Sequence, residues 1–326
     1  MRRLLTALVL VAVALALGCQ REPRVHQDTI LAFGTLIEVS IADTSAERAD
    51  AAFAELRQAF RKMHREWHAW EPGALGRVNS LIPTGEYFPA EPRVIDLIQA
   101  AQPLSRASDG LFDPAVGRLV ALWGFHSETP ASAPQPDPGE IETLVAADPR
   151  MSDLEIDGNR LRSANPTVML DFGAFGKGYG IDIAMGILRE RGIRNAVINA
   201  GGDLRAIGQR GDRAWRVGIR DPFAEGVLAG VSVKGDESVF TSGNYERDYE
   251  RDGKRIHHII DPRTGYPARG TASATVIAQD AATADAAATA LFIAGPGDWP
   301  RIARQMGIEA VLIVTEDGEL QASPAM

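Results

Sequence analysis

Four stretches of this 326-residue sequence bring together residue types that do chemistry. The first is Leu170-Asp171-Phe172-Gly173-Ala174-Phe175-Gly176-Lys177-Gly178-Tyr179-Gly180, an apolar segment running through a glycine-rich turn into a helix. Such a turn aims free backbone N–H groups and the positive end of a helix at an anion, and Lys177 adds a mobile positive charge. A P-loop needs Gly-x4-Gly-Lys-Ser/Thr; here Gly178 follows the lysine and Gly173 lies only three residues before Gly176. That leaves a phosphate or pyrophosphate cradle of another kind, weighed against a tight turn carrying a surface lysine. The second stretch, Asn199-Ala200-Gly201-Gly202-Asp203-Leu204, lacks the Gly-x-Gly-x-x-Gly dinucleotide pattern and reads as a turn or a close backbone approach.

The third pairs Thr241-Ser242-Gly243 with His258-Ile259-Ile260-Asp261-Pro262-Arg263-Thr264-Gly265. Hydroxyls, an imidazole and a carboxylate lie near turn formers, but Ser242 is not in Gly-x-Ser-x-Gly, so a serine hydrolase is not supported. His258 precedes an apolar pair, which also suits a structural histidine. The fourth is Asp285 and Thr289, at i and i+4 on an alanine-rich helix. Their oxygens share one helix face, and two hard oxygens so spaced suit Mg²⁺, which takes few protein ligands and keeps water and phosphate around it. The competing reading is an alanine-packed helix with Asp285 in solvent.

The elements that position these groups are mixed. Apolar positions from 45 to 63 recur at helical spacing, and a second helix is expected over 92–104 with Pro92 in its first turn. Strand character marks 30–41, with Phe33-Gly34-Thr35 as a tight feature inside it, and also 167–172, 196–199, 214–219, 228–234, 273–278 and 310–315. Further helices are expected over 177–191, 281–293 and 298–306, and the four prolines of 127–139 mark an exposed loop. Helices and strands without strict alternation predict an α+β fold, mixed sheets with packed helices in one catalytic unit over 29–326.

Composition narrows the function classes. Lys and Arg number 34 against 43 Asp and Glu, a net charge of −9, which argues against a nucleic-acid partner. The single cysteine, Cys19, excludes an intramolecular disulfide. It follows Arg2, Arg3 and an apolar run from Leu4 to Leu17, so 1–18 reads as a signal peptide and 19–28 as a polar tether. Ala16-Leu17-Gly18-Cys19 resembles a bacterial lipobox, in which the cysteine becomes the lipidated N-terminus. That places the chain in the bacterial cell envelope, periplasm-facing and lipid-anchored to the inner or outer membrane.

Taken together and in order, these pieces resemble the FAD:protein FMN transferase (ApbE) family in its lipoprotein form. The matching segments are Phe33-Gly34-Thr35, Asp109 to Pro114, Trp123-Gly124-Phe125, Asp171 to Asp182, Asn199 to Asp203, Thr241-Ser242-Gly243, His258 to Gly265, and Asp285 with Thr289. The resemblance implies that FAD is substrate and donor, that FMN is moved onto a Thr or Ser hydroxyl of a partner protein, and that AMP leaves. It implies an Mg²⁺ held by Asp285, Thr289 and the carbonyl of Ala174. FAD would meet Phe33, Trp70, the Ala107-Ser108-Asp109 segment, Asp171, Lys177, Thr241, Ser242 and His258, with His258 or Asp261 taking the acceptor's proton. The partner it implies is a flavoprotein subunit of a membrane redox complex. Two departures from the family pattern are Phe33, where Met is common, and Trp67-His68-Ala69-Trp70, where a Ser-containing segment is usual. The alternatives are an FAD pyrophosphatase giving FMN and AMP, and a non-catalytic flavin-binding lipoprotein.

Overall fold

Phe33 and Gly34 turn the chain back on itself. Both hold positive φ, 52° and 73°, so 30–41 is an antiparallel hairpin of β1 (Val25–Ala32) and β2 (Thr35–Ala42). A computed structural model describes residues 24–127, 129–233 and 235–326. The signal segment and Cys19 lie outside the described residues. Helix α1 (Ala46–Trp67) follows, opened by the Ser45 hydroxyl, which accepts from the Arg48 N–H. Its buried face, Ala49, Ala52, Phe53, Leu56, Phe60, Met63 and Trp67, keeps the spacing seen in the sequence.

Next come α2 (Ala74–Leu81), β3 (Phe88–Pro89) and α3 (Pro92–Ala107), with Pro92 in the first turn as expected. Helix α4 (Gly117–Leu122) precedes the proline-rich stretch. That stretch holds a single 3₁₀ turn at Pro130–Ser132 and ends in α5 (Pro138–Ala146), where Pro138 is the first helical residue and Asp137 the cap. The hairpin β4 (Leu154–Asp157) and β5 (Arg160–Ser163) leads toward the glycine-rich turn.

The strand expected over 167–172 does not form. Met169 makes only an isolated parallel bridge to Val116. Both backbone groups of Leu170 go to the side-chain amide of Asn79 instead: its Nδ2 donates to the Leu170 carbonyl at 2.9 Å and its Oδ1 accepts from the Leu170 N–H at 2.8 Å. The flanking residues bond to the 114–117 segment: the Met169 N–H to the Ala115 carbonyl at 3.2 Å, the Gly117 N–H to the Met169 carbonyl at 2.8 Å and the Asp171 N–H to the Pro114 carbonyl at 2.9 Å. The run is thus held by one side chain and one short segment and joins no sheet.

Helix α6 (Gly176–Glu190) comes next, then β6 (Ala196–Ala200), β7 (Asp203–Gly208), β8 (Trp215–Arg220), β9 (Val227–Val233), β10 (Gly235–Gly243), β11 (Asp248–Arg251), β12 (Lys254–His257) and β13 (Thr271–Ala278). The two helices expected over 281–293 and 298–306 follow each other across a break at Gly295, where φ is 75°, and are numbered together as α7 (Ala281–Met306). The chain ends with β14 (Ala310–Thr315) and β15 (Leu320–Ala322).

Eight strands form one antiparallel sheet in the order β1-β2-β6-β7-β10-β13-β14-β15. Its inner face, with Ile37, Val39, Ile41, Ile198, Phe240, Val276 and Ile313, packs against α1, α6 and α7 in one apolar core. On the other face the β8–β9 ribbon covers Leu204, Ala206 and Val239 with Trp215, Val217 and Val233. A third cluster joins α4, α5 and β11–β12 through Trp123, Phe125, Tyr249 and Ile260. The Trp123 indole N–H donates to the Gly265 carbonyl at 2.7 Å, pinning this cluster to the loop after His258.

Helices α6 and α7 meet closely because Gly178 has no side chain. A Cβ there would stand 2.3 Å from the Ala281 carbonyl oxygen and 2.8 Å from the Asp285 Cβ. We expect Gly178→Ala to cost about 1–3 kcal/mol by overpacking, read as a lower denaturation midpoint in urea. An unchanged midpoint would show that the two helices have slack.

Candidate functional site

The cleft lies where the glycine-rich turn, β10, the His258 segment and α7 converge, and encloses about 860 Å³ out to its open mouth. Its floor is the turn itself. Asp171 shapes that turn by accepting from the Gly173 N–H at 2.7 Å, while its other oxygen accepts from the Trp70 indole at 3.2 Å. Burial holds the Asp171 carboxyl above its ordinary pKa.

Helix α6 starts just after this turn, and its first turn is incomplete in a particular way. Because α6 begins at Gly176, the Gly178 N–H is one of the first-turn donors with no carbonyl to meet inside the helix; the first regular bond is from the Tyr179 N–H to the Phe175 carbonyl at 3.0 Å. The Gly178 N–H donates to Asp285 Oδ2 at 2.9 Å, on α7. Among the described residues the Ala174 carbonyl accepts no hydrogen bond and Asp285 Oδ1 accepts none either. Both residues line the cleft together with Thr289, whose hydroxyl lies 3.1 Å from that of Ser242. A carbonyl, a carboxylate oxygen and a hydroxyl are thus left with free acceptor capacity at one place.

Lys177 reaches away from the helix axis to Asp203, with which it makes a buried ion pair. The second Asp203 oxygen accepts from the Thr241 N–H at 2.9 Å, so the hairpin turn at Gly201 and Gly202 supplies the partner that aims the lysine. Burial alone would lower the Lys177 pKa; Asp203, Asp285 and Glu246 outweigh it and hold the ammonium charged. Burial pushes the Asp285 carboxyl up, with the Asp203 charge adding to it against the pull of Lys177. Burial raises Glu246 in the same way. The cleft lining carries two cations, Lys177 and Arg247, against the carboxyl groups of Asp113, Asp171, Glu246 and Asp285. A site so weighted toward acid takes up protons, or a metal cation, before it accepts an anion.

His258 sits on the opposite wall with its Nδ1 3.2 Å from the Arg247 carbonyl. A carbonyl only accepts, so Nδ1 carries the hydrogen and Nε2 keeps a lone pair. Burial and the neighbouring Arg247 push its pKa down to about 3, so the ring is neutral.

The structure thus brings together Asp171, Ala174, Lys177, Thr241, Ser242, His258, Asp285 and Thr289 on one cleft. Trp70 joins them through its bond to Asp171. Five other candidates lie elsewhere. Phe33 is stacked on Trp67, with ring centroids 5.9 Å apart, and packs on Gly180. Ala107 ends α3, and Ser108 is fully buried with its hydroxyl on the Ser105 carbonyl at 2.9 Å. Asp109 is tied at the surface to Arg301 and Gln305 of α7, each at 2.5 Å. The cleft wall is formed instead by the residues just after them, Leu111, Phe112, Asp113 and Pro114. Asp261 closes its own turn and is clamped by Arg263 at 2.8 and 2.9 Å, facing a separate depression.

Glu246, Arg247 and the pairing of Asp203 with Lys177 escape sequence reasoning, because only the β6–β7 and β10–β11 turns bring them beside the lysine. Among the described residues no three His, Cys, Asp or Glu side chains gather as a metal cluster, so any cation held here relies on mixed oxygen donors.

The cleft thus joins an antiparallel sheet, two helix starts meeting over a glycine-rich turn, a charged lysine and free oxygen acceptors. The chain belongs to the ApbE family, whose model matches residues 33–312. It is 48% identical over 299 residues to the FAD:protein FMN transferase of Rhodobacter capsulatus, covering 92% of this chain and 57% of that protein. The chain therefore spans a little over half the length of that relative. A FAD:protein FMN transferase of Klebsiella pneumoniae is 35% identical over 238 residues, covering 71% of this chain and 72% of that one. The crystal structure of the ApbE protein of Thermotoga maritima superposes with a TM-score of 0.85 at 32% identity, covering 93% of this chain and 98% of that one.

Asp113 gives a pH test of the cleft wall. Burial raises its pKa to about 6 although it accepts from Ser105, Ala115 and Met151. A carboxyl whose folded pKa lies above its unfolded value of 3.8 is stabilising relative to the charged form only at low pH. The penalty therefore grows as pH rises from about 4 to 6 and is constant above. Asp113→Asn should gain up to about 3 kcal/mol relative to the parent between pH 4 and 7, read from urea unfolding at each pH. A gap that does not change with pH would show that Asp113 does not titrate in this range.

Proposed function

We propose that this chain transfers FMN from FAD to a Thr or Ser hydroxyl of a partner protein and releases AMP. The observation that carries the reading is the capping of the Gly178 N–H by Asp285 Oδ2. It turns Asp285 toward the cleft with Oδ1 free, beside Thr289 and the unbonded Ala174 carbonyl, at the helix start where a pyrophosphate belongs. The names of the Rhodobacter and Klebsiella relatives support the same activity.

The donor set fits Mg²⁺: three hard oxygens, one of them charged, with room for phosphate oxygens and water. Asp285, Thr289 and Ala174 would hold it, and when bound it would neutralise pyrophosphate charge and make the FMN-side phosphorus open to attack. Lys177, charged and aimed by Asp203, binds the phosphates from the α6 side. In the transfer, the acceptor oxygen bonds to the FMN-side phosphorus, the bond to the AMP phosphate breaks, and the hydroxyl proton goes to His258 Nε2. Its depressed pKa makes His258 a weak base in the empty cleft, and a bound pyrophosphate would raise it. Asp261, clamped by Arg263, is not placed for this step.

The acceptor would be a flavoprotein subunit of a membrane redox complex, met from the outer side of the membrane. The apolar run of Leu4 to Leu17 and the Ala16-Leu17-Gly18-Cys19 sequence support a periplasm-facing lipid anchor at Cys19. Among the described residues no helix is long and apolar enough to cross a membrane.

Incubation with FAD, Mg²⁺ and an acceptor protein should give covalently fluorescent acceptor and free AMP in equal amounts. FMN and AMP without labelled acceptor would make the chain a pyrophosphatase, and no turnover would make it a flavin carrier. Asp285→Ala should lower the transfer rate by at least about 10²-fold. Lys177→Ala should weaken FAD binding by about tenfold or more, as loss of a charge-assisted contact does. Undiminished affinity in that variant would remove the lysine from the cradle.

A further inference from the structure

Helices α6 and α7 cap each other. The first turn of α6 is capped by a carboxylate one turn into α7, through the Gly178 N–H and Asp285 Oδ2 at 2.9 Å. The first turn of α7 is capped by a carboxylate one turn into α6: Asp182 accepts from the Ala281 and Ala282 N–H groups, one on each oxygen, both at 2.9 Å. The two rungs are separated by four residues on each helix, 178 to 182 and 281 to 285. Backbone donors and carboxylates are therefore exchanged in opposite directions across one interface, where Gly178 lets the backbones touch.

Asp182 is itself held. It pairs with the buried Arg205 of β7, which also reaches Asp236 of β10 at 3.0 Å, and Asp236 takes a second arginine, Arg189, at 2.5 Å. The α7 start is thus tied through Asp182 and Arg205 to the centre of the sheet. Asp280 caps the same turn locally by accepting from the Thr283 N–H at 2.8 Å. That bond stays within α7 and says nothing about where the helix sits. Apart from the Gly178–Asp285 bond itself, the Asp182 rung is the hydrogen-bonded tie between the backbone of α7 and α6, and it bears on which Asp285 oxygen goes to Gly178 and which stays free.

We propose that Asp182 is a positioning residue for the cation site: by capping α7 from α6 it sets the register that presents Asp285 Oδ1 and Thr289 together. This rests on the reading of Asp285, Thr289 and Ala174 as the cation's ligands. Asp182 lies outside that set and acts through Asp285. Residues that orient metal ligands in this way typically change metal affinity by about 10- to 100-fold when altered.

The test is binding of Mn²⁺, a paramagnetic stand-in for Mg²⁺, to the protein without FAD, followed by electron paramagnetic resonance. Asp182→Asn removes the charge and one of the two accepting oxygens. It should weaken Mn²⁺ binding by about tenfold or more. Asp182→Glu, which keeps the charge, should recover part of the loss. If the Asn variant does not fold, the Glu variant alone reads the register, because its longer side chain shifts the cap and must weaken binding measurably. Asp285→Ala run alongside separates the two claims. Loss of Mn²⁺ in Asp285→Ala with parental affinity in folded Asp182 variants overturns the positioning role. Parental affinity in Asp285→Ala overturns the cation reading beneath it.

Discussion

The hydrogen bond from the Gly178 N–H to Asp285 is the constraint on which the site depends. It satisfies a first-turn donor that α6 cannot satisfy itself with a carboxylate from the neighbouring helix. That one cap orients a carboxylate on α7 beside the free Ala174 carbonyl of the glycine-rich turn, and demands a residue without a side chain at 178. The large antiparallel sheet is the platform beneath it: β7 carries Asp203 and Arg205, β10 carries Thr241 and Ser242, and both helices lie on the same face. Rigid elements, rather than loops, therefore place most of the polar groups.

Charge governs what such a cleft can hold. Lys177 is surrounded by carboxylates, and burial, with the neighbouring carboxylates adding to it, holds Asp285 and Glu246 above their ordinary pKa against the pull of Lys177. An isolated lysine would bind phosphate as a simple counter-charge. Here Asp203 already occupies it, so its task is to orient as much as to attract. The lacking positive charge is what a divalent cation bound by Asp285 and Thr289 would bring, and such a cation would make ligand and metal binding one coupled event rather than two.

Local signals carried much of this into the sequence. The α1 face, the Pro92 start of α3 and the Gly-rich turn before α6 depend on residues close in the chain, and were legible. So was the Asp285/Thr289 pair, because helical spacing alone puts both oxygens on one side. What escaped depends on distant partners. Asn79 takes the hydrogen bonds of Leu170 from 91 residues away and cancels an expected strand. Ser108 was expected to meet FAD but closes a buried turn, which moves the cleft wall on to Leu111 and Phe112. Glu246 and Asp203 join Lys177 only through sheet register, which no short motif encodes. Asp261 had the right chemistry for a base, and its own arginine two residues on removes it.

Titrating FAD into the protein by flavin fluorescence, with Mg²⁺ and then with a chelator in its place, decides whether anion and cation bind as one unit. Tight binding with Mg²⁺ and an affinity about tenfold or more weaker in chelator is the outcome that this balance of charges requires. Equal affinity in both conditions would mean that Lys177 and the backbone donors hold the pyrophosphate unaided, and that the acidic cluster has another purpose.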